Sequence, residues 1–167
     1  ENLKQISKTL KSILKKIRTN ILQLSGQSTQ KDFEEIQEDY EFVYSIINEF
    51  KEQLPKDIKK EHEDIETMIH EFFKGQLNEI NKLLENYNFI EAEGKRQDLE
   101  LYLKILHIEK GSFYSVKTEI VNIPSLIKER IDKLKKEFGE MTLQDFFNKP
   151  LKRILLEIEK YSLLDLQ

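Results

Sequence analysis

Residues 33–54 read FEEIQEDYEFVYSIINEFKEQL, and an apolar residue recurs there at every third or fourth position. This spacing brings the apolar side chains onto one face of an α-helix. Residues 3–24 keep the same spacing, and the loop-forming run Ser25-Gly26-Gln27-Ser28-Thr29 separates the two stretches. We therefore predict an antiparallel helical hairpin, packed as a coiled coil, over residues 1–54.

The rest of the chain continues the helical pattern. Pro55 predicts the start of a third helix that reaches about Asn88, because proline is well tolerated in a first helical turn. The polar residues 91–96 predict a loop, and a fourth helix is expected over residues 97–123, ended by Pro124. Ser125 can cap a fifth helix, and residues 151–164 form the last. The predicted fold is all-α: the hairpin followed by an antiparallel four-helix bundle over residues 55–167.

Composition supports long helices and excludes several classes of protein. Hydrophobic residues make up 38% of the chain and charged residues 35%, with only five glycines and three prolines. The absence of cysteine excludes disulfide scaffolds and thiolate metal sites. A net charge of −4 argues against nucleic-acid binding, and no apolar run reaches the length of a membrane span. We expect a cytoplasmic protein, and because the chain begins with Glu1, a piece of a longer protein is one interpretation.

A metal site and a nucleotide site are both disfavoured. His62, Glu66 and His70 are spaced four apart and share a helix face, which is one way to hold a metal ion. The Glu-x-x-His pairs of di-iron bundles are absent, so a solvated face or the edge of a helix seam is the preferred interpretation. No glycine-rich phosphate loop occurs, so we expect no cofactor and no ATP-binding domain in this chain.

The surroundings of His107 indicate a different chemistry. On a continuous helix, Lys104 lies one turn before His107 and Lys110 one turn after it, so both amines can approach the imidazole. Gly111 would lie directly beside the ring. Glycine inside a helix lowers helix stability by about 1 kcal/mol relative to alanine, so a glycine at this position needs an explanation. Clearance for a bulky anion such as a phosphoryl group, with a cation nearby, is one such explanation.

The sequence His-x-x-Lys-Gly-Ser, from His107 to Ser112, resembles the phosphorylation-site motif of histidine-containing phosphotransfer domains. Residues 71–84 and 98–106 resemble the two helices that lead into that motif in chemotaxis-kinase-like members. Glu129 follows His107 by twenty-two residues on the next helix, at the position of the family's imidazole-binding glutamate. The resemblance covers about residues 55–164.

The resemblance implies a phosphorelay intermediate that carries a phosphoryl group on a histidine. His107 would be the nucleophile, and Glu129 would accept a hydrogen bond from its second nitrogen. Lys110 and, more weakly, Lys104 would balance the phosphoryl charge, and Gly111 would provide space. The implied partners are a histidine-kinase catalytic domain and a response-regulator receiver domain, and Mg²⁺ would sit on the receiver. The chain could then be part of a histidine kinase.

Three alternatives stay open. Ile108 and Glu109 depart from the family pattern, so the chain could be a non-catalytic helical scaffold with a degenerate phosphotransfer-like bundle. The hairpin could serve homodimerisation. Residues 146–154, FFNKPLKRI, faintly resemble a helix of Dbl-homology exchange domains, although the expected tyrosine comes a turn late, at Tyr161.

Overall fold

The computed structural model describes residues 2–107, 113–140 and 151–165. These residues contain six α-helices and no strand, which confirms the all-α prediction. In chain order the helices are α1 (Asn2–Leu22), α2 (Gln30–Glu49), α3 (Lys56–Glu85), α4 (Phe89–Ile105), α5 (Phe113–Gly139) and α6 (Leu151–Asp165).

Contacts divide the chain into two compact units, and three helices contribute residues to both. The first unit comprises residues 1–76 and 101–116, and the second comprises residues 77–100 and 117–167. Their cores consist of Ile, Leu and Phe on the amphipathic helix faces, whose burial is the main source of helix stability in a protein with so little alanine. The domain boundary expected between Leu54 and Pro55 stays a prediction.

In the first unit, α1 buries a wider face than a two-helix seam needs. Leu10 and Ile17 are buried as expected, but Leu14 and Ile21 are buried as well, whereas Leu3 is exposed. The reason is that α1 has two neighbours. An ion pair joins it to α2, and further ion pairs join it to α3. A helix that packs against two others uses three positions per heptad, so the two-position seam predicted from sequence is too narrow.

The end of α4 also belongs to the first unit. The Tyr102 ring stacks on Phe33 of α2 at a centroid distance of 3.9 Å, and its hydroxyl donates to the Ser28 carbonyl at 2.8 Å. At the start of α2, the Asp32 carboxylate accepts the backbone N–H of the N-cap residue Thr29 at 2.7 Å, as in a capping box. The loop between α1 and α2 is thereby held against α4.

In the second unit, α6 secures the corner between α3 and α4. Tyr87 adopts a left-handed backbone (φ 58°), and the N–H of Asn88 donates to the Leu83 carbonyl, as in a Schellman cap. Arg153 donates to the Asn86 carbonyl at 2.6 Å and to the Asn88 side chain at 2.8 Å. At the other side of the corner, Glu157 accepts the N–H of Ile90, an orphan donor of the first turn of α4.

Two predicted helix boundaries are wrong. The polar residues 91–96 lie inside α4, where Ala92 and Glu93 are buried. Pro124 lies inside α5 and does not end a helix, and Ser125 caps nothing there. The buried residues of α5 keep their spacing across the proline, so tertiary burial outweighs the lost backbone hydrogen bond. They are Phe113, Val116, Ile120, Ile123, Ile127, Ile131 and Leu134.

Candidate functional site

His107 lies just beyond the end of α4, not in the middle of a helix. The helix ends at Ile105, and His107 adopts a left-handed backbone with φ 53°. Its N–H donates to the Lys104 carbonyl at 3.1 Å, which closes the last turn of the helix. The imidazole is exposed. The expectation that residues 97–123 form one helix through His107 is therefore wrong.

The other predicted site residues fall in three places. Lys104 is exposed in the last turn of α4, where a cation interacts favourably with the helix dipole. Lys110 and Gly111 lie outside the described residues. Glu129 is exposed on α5 and belongs to the second unit, whereas His107 belongs to the first. The predicted hydrogen bond between the Glu129 carboxylate and the imidazole stays a prediction.

The end of α4 before His107 removes the basis for placing Lys110 and Gly111 beside the imidazole by helical spacing. Positions three and four residues apart are neighbours on a surface only while the helix continues. Since the chain leaves the helix after Ile105, the positions of Lys110 and Gly111 relative to the ring no longer follow from their sequence numbers. The chemical requirement that is met is the accessibility of the imidazole to solvent.

A second histidine, His62, lies in a cluster that sequence reasoning missed. It is buried, with 8% of its surface exposed, rather than solvated. Its ring stacks on Tyr40 of α2 at 5.4 Å and on Tyr44 at 5.9 Å. The Tyr40 hydroxyl donates to Glu66 of α3 at 2.7 Å, so this carboxylate is engaged between α2 and α3. In the described part of the chain, no group of three or more His, Asp and Glu side chains is arranged to hold a metal ion.

Burial controls the protonation of this cluster. Desolvation lowers the pKa of His62, and the nearby Glu66 and Glu63 carboxylates oppose that shift only in part. Burial, reinforced by the hydrogen bond to Glu66, raises the pKa of Tyr40 above its usual range. The His62 Nε2 atom has no hydrogen-bond partner. The buried imidazole, in contact with the rings of Tyr40 and Tyr44, packs α3 against α2.

We expect the unfolding free energy to fall as the pH is lowered from about 7 to 5, because His62 in the unfolded chain takes up a proton near its ordinary pKa of 6.5 while the folded state resists it. The stabilisation is complete above pH 6.5 and is lost as the pH falls through the lowered pKa. The measurement is urea unfolding at several pH values. His62→Phe, which keeps the ring and removes its nitrogens, should flatten the slope.

The matched control for this experiment is His107→Gln, at an exposed position. That variant should keep the slope of the parent protein. An unchanged slope in His62→Phe would mean that His62 does not couple folding to protonation.

A charged cluster in the second unit is also structural. The Arg96 guanidinium donates to both Glu93 oxygens, at 2.8 and 2.7 Å, and to Glu100 at 2.9 Å. Its hydrogen bond and proximity to Glu93 raise the pKa of Arg96. Each charge in this cluster has a partner within α4, and these charge-assisted hydrogen bonds stabilise the helix.

Comparison with known proteins identifies no family for this chain. No protein-family model matches the chain, and no curated protein or solved structure matches it either. The resemblance to phosphotransfer domains therefore depends on the residues around His107 and the helix pattern alone. None of the described helices combines the length and apolar character that crossing a lipid bilayer requires.

Proposed function

We propose that the protein is a non-catalytic helical scaffold that acts by contacting other proteins. The observation that carries this proposal is the two-faced character of α6. One face is buried through Leu151, Ile154, Ile158 and Tyr161. The opposite face exposes Leu156 and Leu163, one heptad apart, with Leu155 and Leu164 beside them. A surface helix of a monomeric protein normally has one apolar stripe, so a second one favours contact with a partner.

The charged groups support the same proposal. The best-connected titratable side chains join helix to helix or lie within one helix: Tyr40 with Glu66, Arg18 with Glu61, and Arg96 with Glu93. Such groups specify packing, and a catalytic site needs charged groups aimed at a space where a substrate can bind. Homodimerisation through the hairpin is one form that scaffolding could take, and Phe42 of α2 is a half-exposed contact residue for it.

Sedimentation equilibrium tests the homodimeric form of this scaffold. We expect the parent protein to self-associate. If α6 forms the contact, Leu156→Glu/Leu163→Glu should weaken the association. If the hairpin forms it, Phe42→Glu should do so instead. All three side chains are exposed, so the variants should keep the parent helix content by circular dichroism. A monomer at every concentration would contradict homodimerisation.

A second candidate function is the phosphorelay intermediate, favoured by the exposure of the His107 imidazole. A nucleophilic imidazole must be reachable by the phosphoryl donor, and the C-terminal end of α4 leaves this ring reachable. The partners would be a histidine-kinase catalytic domain and a receiver domain that holds Mg²⁺, in the cytoplasm. Glu129 and Lys110 would assist as the resemblance implies.

The two functions are separated by incubating the protein with a phosphorylated receiver domain or an active kinase. The scaffold proposal expects no acid-labile, base-stable phosphate on the chain. The relay expects such phosphate, removed by His107→Gln and kept by the matched variant His70→Gln. Label on His107 would overturn the scaffold proposal in favour of the relay.

A further inference from the structure

Helix α1 has an unusual distribution of charge. It contains no acidic residue, whereas α2 is strongly acidic. Most of its cations follow one another at steps of four and three residues and therefore share one face of the helix. We call this set the basic stripe: Lys4, Lys8, Lys11, Lys15 and Arg18.

Part of the basic stripe is neutralised by α3. The Lys11 ammonium lies 2.6 Å from Asp57, and the Arg18 guanidinium lies 2.9 Å from Glu61. Since both positions increase together, α1 and α3 run parallel. Asp57 lies in the first turn of α3, so the stripe continues beyond the start of α3.

The part that extends beyond α3 contains Lys4 and Lys8. Both are exposed, and neither forms an ion pair with a described residue. Together with Lys11 and Ser7 they line an open groove of about 520 Å³. Leu3 and Pro55 contribute apolar surface to it. The groove thus combines a small apolar surface with a row of ammonium groups.

We propose that this groove binds an acidic helical segment of a partner protein. Lys4 and Lys11 are seven residues apart, a rise of about 10 Å, which equals two turns of a partner helix. Carboxylates at positions i and i+4 of that helix can meet the ammonium groups of Lys4 and Lys8. A third carboxylate at i+7 can share the Lys11 ammonium, because the ion pair of Lys11 with Asp57 is exposed and an ammonium group has three donors. One apolar side chain can contact Leu3 and Pro55. The proposal names a partner class for the scaffold and rests on that proposed function.

An anionic membrane surface fits the same charges less well. A helix that lies on a bilayer inserts an exposed apolar face. The main apolar face of α1 is instead buried against its helical neighbours, as Leu10, Leu14 and Ile17 show. The exposed leucines of α1, Leu3 and Leu22, lie at opposite ends of the helix and form no continuous face for insertion.

The test uses fluorescence anisotropy with the full chain and a labelled alanine-based helical peptide that carries glutamates at i, i+4 and i+7 and one leucine. Its control has glutamine at the same three positions. We expect the glutamate peptide to bind at least tenfold more tightly than the control, and binding to weaken as salt is added. Lys4→Glu/Lys8→Glu should weaken binding at least tenfold. Lys4→Gln/Lys8→Gln removes the positive charges without adding negative ones, so it should weaken binding less than the glutamate variant does.

The matched protein control is Lys133→Glu/Lys136→Glu, which makes the same change in net charge at exposed positions of α5. It should bind the peptide within about twofold of the parent protein. Equal affinity for both peptides, or an equal loss in both reversal variants, would overturn the proposal. Vesicles containing phosphatidylserine form a parallel arm, and binding to them without peptide binding would replace the protein partner by a membrane. None of these results depends on labelling of His107, so failure here is distinct from failure of the scaffold proposal.

Discussion

Phe33→Ala is expected to lower the unfolding free energy by about 3–5 kcal/mol. The Phe33 side chain is fully buried, stacks on Tyr102 of α4, and lies 5.7 Å from the ring of Phe72 in α3. Truncation leaves a cavity where three helices meet and removes the aromatic contact that holds the end of α4. Urea unfolding followed by circular dichroism measures the loss.

The control is Phe42→Ala on the same helix. Phe42 is 49% exposed, so its truncation should change the unfolding free energy by under about 1 kcal/mol. Similar losses for the two variants would contradict the assignment of Phe33 to the core.

Arg96→Ala is expected to cost about 3 kcal/mol, because it leaves the Glu93 carboxylate with little compensation. The Glu93 side chain is 10% exposed, and after the substitution only a 3.2 Å hydrogen bond from Gln97 remains of its described side-chain partners. Glu93→Gln in the same background should recover part of the loss, because a neutral amide is far less costly to bury than an unpaired carboxylate. Urea unfolding of both variants checks the pair.

Lys82→Ala is the matched control. Lys82 forms an exposed ion pair at 3.0 Å with Glu79, which lies three residues before it on the same helix. Exposed pairs contribute about 0–1 kcal/mol, so its loss should be small. A cost for Arg96→Ala as low as that for Lys82→Ala would mean that the Glu93 cluster is hydrated in solution.

Helical periodicity predicted the all-α fold. A helix that buries one face needs an apolar residue at every third or fourth position, and this requirement does not depend on which helix packs against it. In α2 the predicted positions Phe33, Ile36, Tyr40, Val43 and Ile47 are all buried. The sequence of α1 also contained the evidence for its number of neighbours, which the two-helix seam prediction did not use. Leu14 and Ile21 were available in the sequence, and a face three positions wide indicates two neighbours. The same continuity of apolar spacing across Pro124 could have predicted an unbroken α5.

The candidate site was harder to predict because it depends on a backbone conformation. His107 adopts a left-handed φ that costs a non-glycine residue about 1–2 kcal/mol, and no glycine at that position signals it. The contacts of Tyr102 with Phe33 and Ser28 hold the preceding turn, and they join residues about seventy apart in sequence. Local spacing therefore could not show that α4 ends before His107.

The corner secured by Arg153 and Glu157 has a consequence for how the chain assembles during translation. The contacts from α6 to Asn86, Asn88 and Ile90 span 65 to 67 residues, so the ribosome must synthesise the chain past Glu157 before all of them can form. Until then the first turn of α4 lacks its carboxylate cap and the end of α3 lacks its guanidinium. The hairpin of α1 and α2 has only short-range requirements and can form while synthesis continues. This hairpin can therefore form before α6 closes the corner between α3 and α4.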